Sequence, residues 1–117
     1  MRAKSAAAAL AALAHETRLA AYRLLVEAGP AGLSAGTIAT RLDIPPSSLT
    51  FHLQALLHAR LVTQRRQSRQ VIYAADFSAM NGLVAFLTEN CCGKGYESCA
   101  PLCDPALPSA AAARRSA

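Results

Sequence analysis

Cysteine is missing from the first 90 of the 117 residues, tryptophan is missing from all of them, and aromatic side chains make up 5% of the chain. The four cysteines that do occur, Cys91, Cys92, Cys99 and Cys103, fall within 13 residues. They can staple no distant parts of the chain together, which excludes a disulfide framework; in a reducing compartment they read as a thiolate cluster. Long apolar runs are missing too. Although 53% of the residues are apolar, no stretch approaches the roughly 18 consecutive uncharged apolar residues of a membrane span. The start, Met1-Arg2-Ala3-Lys4 and an alanine-rich run, has the outline of a signal peptide. Its larger apolar residues are the isolated Leu10 and Leu13, however, and His15, Glu16 and Arg18 interrupt it before any convincing cleavage site. A cytoplasmic protein is expected, of one domain, since 117 residues hold one real core but not two.

Acidic residues are scarce: seven against twelve Lys and Arg, for a net charge of +5. The excess is local. Residues 1–40 carry +2, residues 41–75 carry +4 from Arg41, Arg60, Arg65, Arg66 and Arg69 against Asp43, and residues 76–117 carry −1. A polyanion would dock on the middle third. The plainer reading, scattered arginines that keep the surface solvated, accounts for the same charges.

Periodicity supplies the scaffold. Residues 6–28 read as helix in two segments: residues 6–14 are strong helix formers with Leu10 and Leu13 on one side, and Leu19, Tyr22, Leu25 and Val26 follow at helical spacing. Gly29-Pro30 stops the second. Ser34 is an N-cap for a short helix to Leu42 that turns Ile38 and Leu42 inward. Asp43-Ile44-Pro45-Pro46 ends this helix and begins another, because proline is tolerated in a first turn and not in an interior. The new helix, residues 46–59, buries Leu49, Leu53, Leu56 and Leu57 at i, i+4, i+7 and i+8.

Two short helices joined by a tight turn outline a helix-turn-helix. The β-prone runs 61–66 and 70–74, separated by Gln67-Ser68-Arg69, read as a hairpin. The expected fold class is therefore mainly α with a β-hairpin wing, a winged helix-turn-helix. Residues 78–90 are helical again, with Met80, Leu83, Val84 and Leu87 on one face and Phe77 and Phe86 off it. A terminal helix that is apolar on more than one side needs cover. A second copy of the chain is the economical partner, giving a homodimer through the first and last helices.

These residues resemble the ArsR/SmtB family of metal- and metalloid-responsive repressors. The resemblance is carried by Ala11, Leu13, Ala14, His15, Glu16, Thr17, Arg18 and Leu19, by Leu33-Ser34-Ala35-Gly36-Thr37-Ile38-Ala39, by Ser47-Ser48-Leu49-Thr50-Phe51-His52-Leu53 running to Ala59-Arg60-Leu61-Val62, and by the end of the wing at Ile72-Tyr73. It covers roughly residues 9–90 in order. It implies a homodimeric repressor that binds double-stranded operator DNA and is released by its inducer, with a DNA-binding and dimerisation domain over residues 1–90, a cysteine-rich inducer-binding segment over 91–103 and a disordered tail over 104–117.

Two inducer sites of the family are missing: residues 34–42 hold no Cys-x-Cys, and residues 76–90 hold no His and only Asp76 and Glu89. The cluster that remains is similar to that of arsenic sensors of the family with a vicinal cysteine pair after the last helix and a third cysteine beyond it. By that resemblance the ligands are Cys91, Cys92 and Cys99, with Cys103 as a spare, capture or substitute ligand. Trivalent arsenic forms a three-coordinate pyramid with sulfur. Gly93 can end the helix so that the adjacent sulfurs converge, and the link to Cys99 is long enough to return. Arsenite would be the inducer, with antimony(III) also accepted. A soft divalent ion such as Cd, Pb or Zn held by four thiolates, a thiol redox sensor, and more remotely a thiol-disulfide enzyme are the alternatives. No enzymatic activity is expected.

On the presumed recognition helix, Ser47, Ser48, Thr50, Phe51 and Gln54 lie on or near the face opposite the leucines, where short hydroxyls reach phosphates or base edges and Gln54 could address adenine. The resemblance places residues 47–54 in the major groove. Phe51 stands where relatives often have His; it contacts a thymine methyl or covers a neighbouring helix. His52 flanks the leucine stripe and reads as a packed, hydrogen-bonded residue. Arg65, Arg66 and Arg69 at the hairpin bind phosphate or the minor groove, or form a solvated tip.

Overall fold

The computed structural model describes residues 1–90, so Cys91, Cys92, Cys99 and Cys103 and the expected tail lie outside the described residues. Within these residues the chain divides into two units at Leu83 and Val84. Five helices and three strands follow in order: α1 (Ala3–Leu13), α2 (Glu16–Ala28), a 3-10 turn (Gly29–Ala31), β1 (Leu33–Ser34), α3 (Ala35–Leu42), α4 (Pro46–His58), β2 (Val62–Gln67), β3 (Gln70–Ala75) and α5 (Phe77–Leu87). This is the winged helix-turn-helix expected from the sequence. No helix of the described residues is long and apolar enough to cross a membrane.

The core of the first unit is aliphatic. Leu25 of α2, Ile38 of α3 and Leu49, Leu53 and Leu56 of α4 are wholly buried, joined by Leu61 just before β2 and by Val62, Ile72 and Tyr73 from the sheet. Each such side chain withdraws enough apolar area from water to contribute about 1.5–3 kcal/mol. Tyr22 is buried with them, and its hydroxyl has no hydrogen-bond partner among the described residues. Burial, with Asp76 adding to it, raises the phenol above its ordinary pKa.

The first helix turns its small residues inward. Its buried residues are Ala6, Ala9 and Ala12, while Leu10 is 43% exposed. An alanine row brings the α1 backbone close to its neighbours, and the bulkier Leu10 is left on the outside. Leu19 of α2 is likewise exposed, whereas Tyr22 and Leu25 point inward as expected.

The sheet has the order β1-β3-β2, all antiparallel. β2 and β3 form the expected hairpin from Val62↔Ala75 out to Gln67↔Gln70, with Ser68 at φ 56 in the turn. The two-residue β1 was not legible in the sequence. It pairs Leu33 with Tyr73 and Ser34 with Ile72, which fastens the base of the wing to the residues that open α3. Helix α5 starts one residue earlier than the hydrophobic pattern gives, because the Asp76 carboxylate accepts the Ala79 N–H at 3.0 Å and caps its first turn. In the second unit, Thr88 donates its backbone N–H (3.1 Å) and its hydroxyl (2.9 Å) to the Val84 carbonyl, and Val84 and Leu87 are exposed.

Candidate nucleic-acid interface

The two helices of the reading motif are fixed by their ends. Ser34 caps α3: its hydroxyl accepts the Thr37 N–H at 3.2 Å and pairs with the Thr37 hydroxyl at 2.9 Å. At the other end Asp43 adopts a left-handed conformation (φ 55), its N–H meets the Thr40 carbonyl, and the Ile44 N–H reaches back to Ala39 at 3.2 Å. This paired closure stops α3 cleanly. Pro46 then occupies the first position of α4, where its missing N–H costs nothing. Helix α4 ends by the same device, with Arg60 at φ 65, the Arg60 N–H on the Leu57 carbonyl at 2.9 Å and the Leu61 N–H on the Leu56 carbonyl at 3.0 Å.

With Leu49, Leu53 and Leu56 turned into the core, the period of the helix leaves Ser47, Ser48, Thr50, Phe51 and Gln54 on its open side, and all five are exposed. Phe51 is 66% exposed, unusually open for a ring of that size. The Thr50 hydroxyl donates to the Pro46 carbonyl at 3.0 Å, so its proton is committed to its own helix and its oxygen faces outward as an acceptor. Beside this face lies a groove of about 790 Å³ lined by Ala8, Ala12, Phe51, Gln54, Leu57 and Gln64.

On the wing, Arg65, Arg66 and Arg69 are all exposed. They are not equivalent. One terminal nitrogen of Arg65 donates to the Ala31 carbonyl at 2.8 Å, tying β2 to the 3-10 turn across 34 positions of sequence, so this arginine also holds the wing in place. Arg66 sits nearer the tip and Arg69 in the turn itself.

His52 is half-buried, in keeping with the packed residue expected. Its Nδ1 accepts the Arg18 Nε–H at 3.2 Å. The His15 ring stands 4.6 Å from it, and Phe51 approaches edge-on at 5.6 Å. The Arg18 guanidinium lies 5.7 Å from the centroid of Phe51. Burial lowers the pKa of His52 below its ordinary value, and the neighbouring His15 and Arg18 lower it further, since each opposes a second positive charge. The sequence pattern gives His15 and Arg18 no part in the site: their contacts with α4 bridge more than thirty positions, and no local pattern signals them.

Among the described residues no group of three or more His, Cys, Asp or Glu side chains is gathered so that it could hold a metal ion. The expected ligands Cys91, Cys92, Cys99 and Cys103 lie beyond them.

A family model for a helix-turn-helix domain matches residues 13–65, from the end of α1 into β2. The HTH-type transcriptional regulator YgaV of Escherichia coli (strain K12) is 29% identical over 90 residues, which is 77% of this chain and 89% of that protein. The solution structure of a homodimeric winged helix-turn-helix DNA-binding domain from Mycobacterium bovis is 26% identical, with a TM-score of 0.59, over 74% of this chain and 81% of that one. An ArsR-like transcriptional regulator from Rhodococcus sp. RHA1 superposes with a TM-score of 0.61 at 33% identity, over 72% of this chain and 76% of that one. With an exposed hydroxyl- and amide-bearing helix flanked by an arginine wing on this scaffold, the chain belongs to the ArsR/SmtB family of winged-helix, DNA-binding transcriptional regulators.

Proposed function

We propose that the chain is a cytoplasmic homodimeric repressor that holds double-stranded operator DNA and lets go when trivalent arsenic or antimony is captured by Cys91, Cys92 and Cys99, with Cys103 in reserve. The observation that carries the DNA half is the exposed face of α4 that bears Ser47, Ser48, Thr50, Phe51 and Gln54, on a scaffold whose wing exposes Arg66 and Arg69. The hydroxyls and Gln54 address phosphates and base edges in the major groove, and the arginines neutralise backbone charge. A dimer through α1 and α5 is supported by the exposed Leu10, Val84 and Leu87, and by the homodimeric state of the Mycobacterium bovis relative. The protein works by binding and release, with no turnover.

The metalloid half rests on the donor set. Three thiols condense with arsenous acid, one water leaving for each As–S bond formed, to give a neutral pyramidal complex. Residues 91–103 are the inducer segment in this reading, residues 1–90 the DNA-binding and dimerisation domain, and residues 104–117 a tail. Two recognition helices must stand about 34 Å apart to enter successive turns of one DNA face. A clamp at the end of a dimer helix disfavours that spacing, and a coupling of roughly 1–3 kcal/mol suffices for release.

The test is a mobility-shift titration on the DNA upstream of the protein's own gene, with arsenite, antimonite, Cd, Pb, Zn and peroxide in parallel. Cys91→Ser and Cys92→Ser should leave DNA affinity intact and abolish release by arsenite. Normal release by both variants refutes the sulfur site. Because four thiols in 13 residues also suit a tetrahedral soft divalent ion, release by Cd or Pb and not by arsenite moves the assignment to that metal, and release by peroxide alone moves it to thiol oxidation.

A further inference from the structure

Arg18 of α2 and its N-cap His15 meet α4 in a cluster, and the DNA-binding reading gives neither of the two a role. Arg18 touches α4 twice: its Nε–H is donated to His52 Nδ1 at 3.2 Å, and its guanidinium carbon lies 5.7 Å from the centre of the Phe51 ring. His15 completes the support, its ring 4.6 Å from His52. The Nδ1 of each imidazole accepts a hydrogen bond, that of His15 from the Thr17 N–H at 3.1 Å; with Nδ1 accepting from Arg18, the His52 ring is the neutral Nε2–H tautomer. The guanidinium is thus held between a neutral imidazole and a ring face. Neither contact neutralises its charge, and together they fix its plane.

Phe51 is what this arrangement displays. Two-thirds exposed at the middle of the reading face, the ring has its face toward Arg18 and approaches His52 edge-on, so its orientation is set before DNA arrives. An exposed apolar ring among hydroxyl and amide groups can read one feature of the major groove, the 5-methyl group of thymine. We propose that Arg18 of α2, outside the α3–α4 pair, is a positioning residue for base recognition: it holds Phe51 against a thymine methyl through its contacts with the ring and with His52. The inference rests on the reading of α4 as the helix that enters the major groove.

Deoxyuridine differs from thymidine by that methyl alone, so a uracil scan tests the assignment. Duplexes selected by the full-length wild-type protein from a random library are resynthesised with deoxyuridine at each thymine in turn, and affinities are measured by fluorescence anisotropy at several salt concentrations. For the wild type, one thymine per half-site should be sensitive, by about fourfold, the worth of one buried methyl-sized group. Phe51→Ala should abolish that sensitivity. Arg18→Gln should abolish it as well while keeping the salt dependence, and the double variant should be no less discriminating than either single one. Arg18→Lys keeps the charge without the planar donor and should retain part of the sensitivity; it serves as the test variant if thermal melts show that Arg18→Gln is unfolded.

Several results overturn the assignment. One is an Arg18→Gln protein, or an Arg18→Lys protein, with the full wild-type uracil sensitivity. Another is a fall of about one unit in the salt slope with sensitivity unchanged, which makes Arg18 a phosphate contact. A wild type that selects a sequence yet ignores every uracil removes the methyl contact. A wild type that selects no sequence at all removes the underlying reading of α4, a failure distinguishable from the others because it precedes any variant.

Discussion

Two glycines flank the 3-10 turn in nearly the same backbone conformation, Gly29 at φ 75 and ψ −165 and Gly32 at φ 72 and ψ −171, and their surroundings differ. A methyl group on Gly29 meets nothing within 4 Å, whereas one on Gly32 would fall inside contact distance of the Tyr73 carbonyl oxygen and 3.0 Å from Ile72 Cγ2. Both substitutions to alanine carry the strain of a region that is essentially glycine-only, about 1–3 kcal/mol, less roughly 0.4–1 kcal/mol from the stiffer unfolded chain. Gly32→Ala adds the collision with β3, worth about 1–3 kcal/mol of forced displacement. The expected costs are about 1–2 kcal/mol for Gly29→Ala and about 2–5 kcal/mol for Gly32→Ala. In a unit of this size each kcal/mol lowers Tm by roughly 4–8 °C. Urea unfolding followed by circular dichroism, at one fixed protomer concentration because association would shift the midpoint, measures the difference. Only Gly32→Ala should also weaken DNA binding, since it parts β1 from β3 at the base of the wing. Equal costs for the two substitutions would refute the argument that the close approach to Tyr73 is what requires glycine.

Other outcomes follow from the same geometry. Arg66→Ala and Arg69→Ala should each lower the salt dependence of DNA binding by about one unit without changing Tm; Arg65→Ala should lower Tm too, because it releases the Ala31 carbonyl. His52 favours its neutral form in the fold, so the folded state binds fewer protons than the unfolded chain. Stability is therefore full above the ordinary imidazole pKa and declines as pH falls from there through the lowered value. Thermal melts from pH 7.5 to 5.5 should show that decline, and His52→Asn should flatten it. Tyr22→Phe removes a buried hydroxyl with no partner among the described residues and should leave Tm unchanged or raise it; a fall of several degrees would show that the hydroxyl is bonded in solution.

Elements whose boundaries are written in local chemistry were readable from the sequence. Ser34 as a cap, Pro46 at the start of a helix and the leucines at 49, 53 and 56 define the helix-turn-helix without reference to anything distant, and the β-prone runs on either side of Gln67-Ser68-Arg69 define the hairpin. The helical period puts Leu10 and Leu13 on one side of α1 but does not say which face is buried; that face is Ala6, Ala9 and Ala12, because close helix approach favours the smaller side chains. β1 is two residues long, too short for any alternation to show. The exposure of Ser47, Ser48, Thr50, Phe51 and Gln54 follows from the helical period alone. What supports Phe51 does not: Arg18 and His52 are 34 positions apart, and Arg65 and Ala31 equally far, so both ties exist only once the chain is folded.

The central place of β3 in the sheet divides the wing mechanically. Near Ile72 and Tyr73 the strand is hydrogen-bonded on both sides, to β1 and to β2, while the pairs Arg66↔Val71 and Gln67↔Gln70 beyond it belong to the hairpin alone. The wing is in effect a cantilever, clamped at its root to the start of α3 and loaded at its free end by the Arg69 charge. Bending at that end can follow the width of a DNA groove while the clamp keeps the recognition helix still. Lengthening the hairpin by one residue on each strand would extend its reach by about 3.4 Å without altering the root, so variation in tip length among such regulators would tune backbone contact separately from base reading.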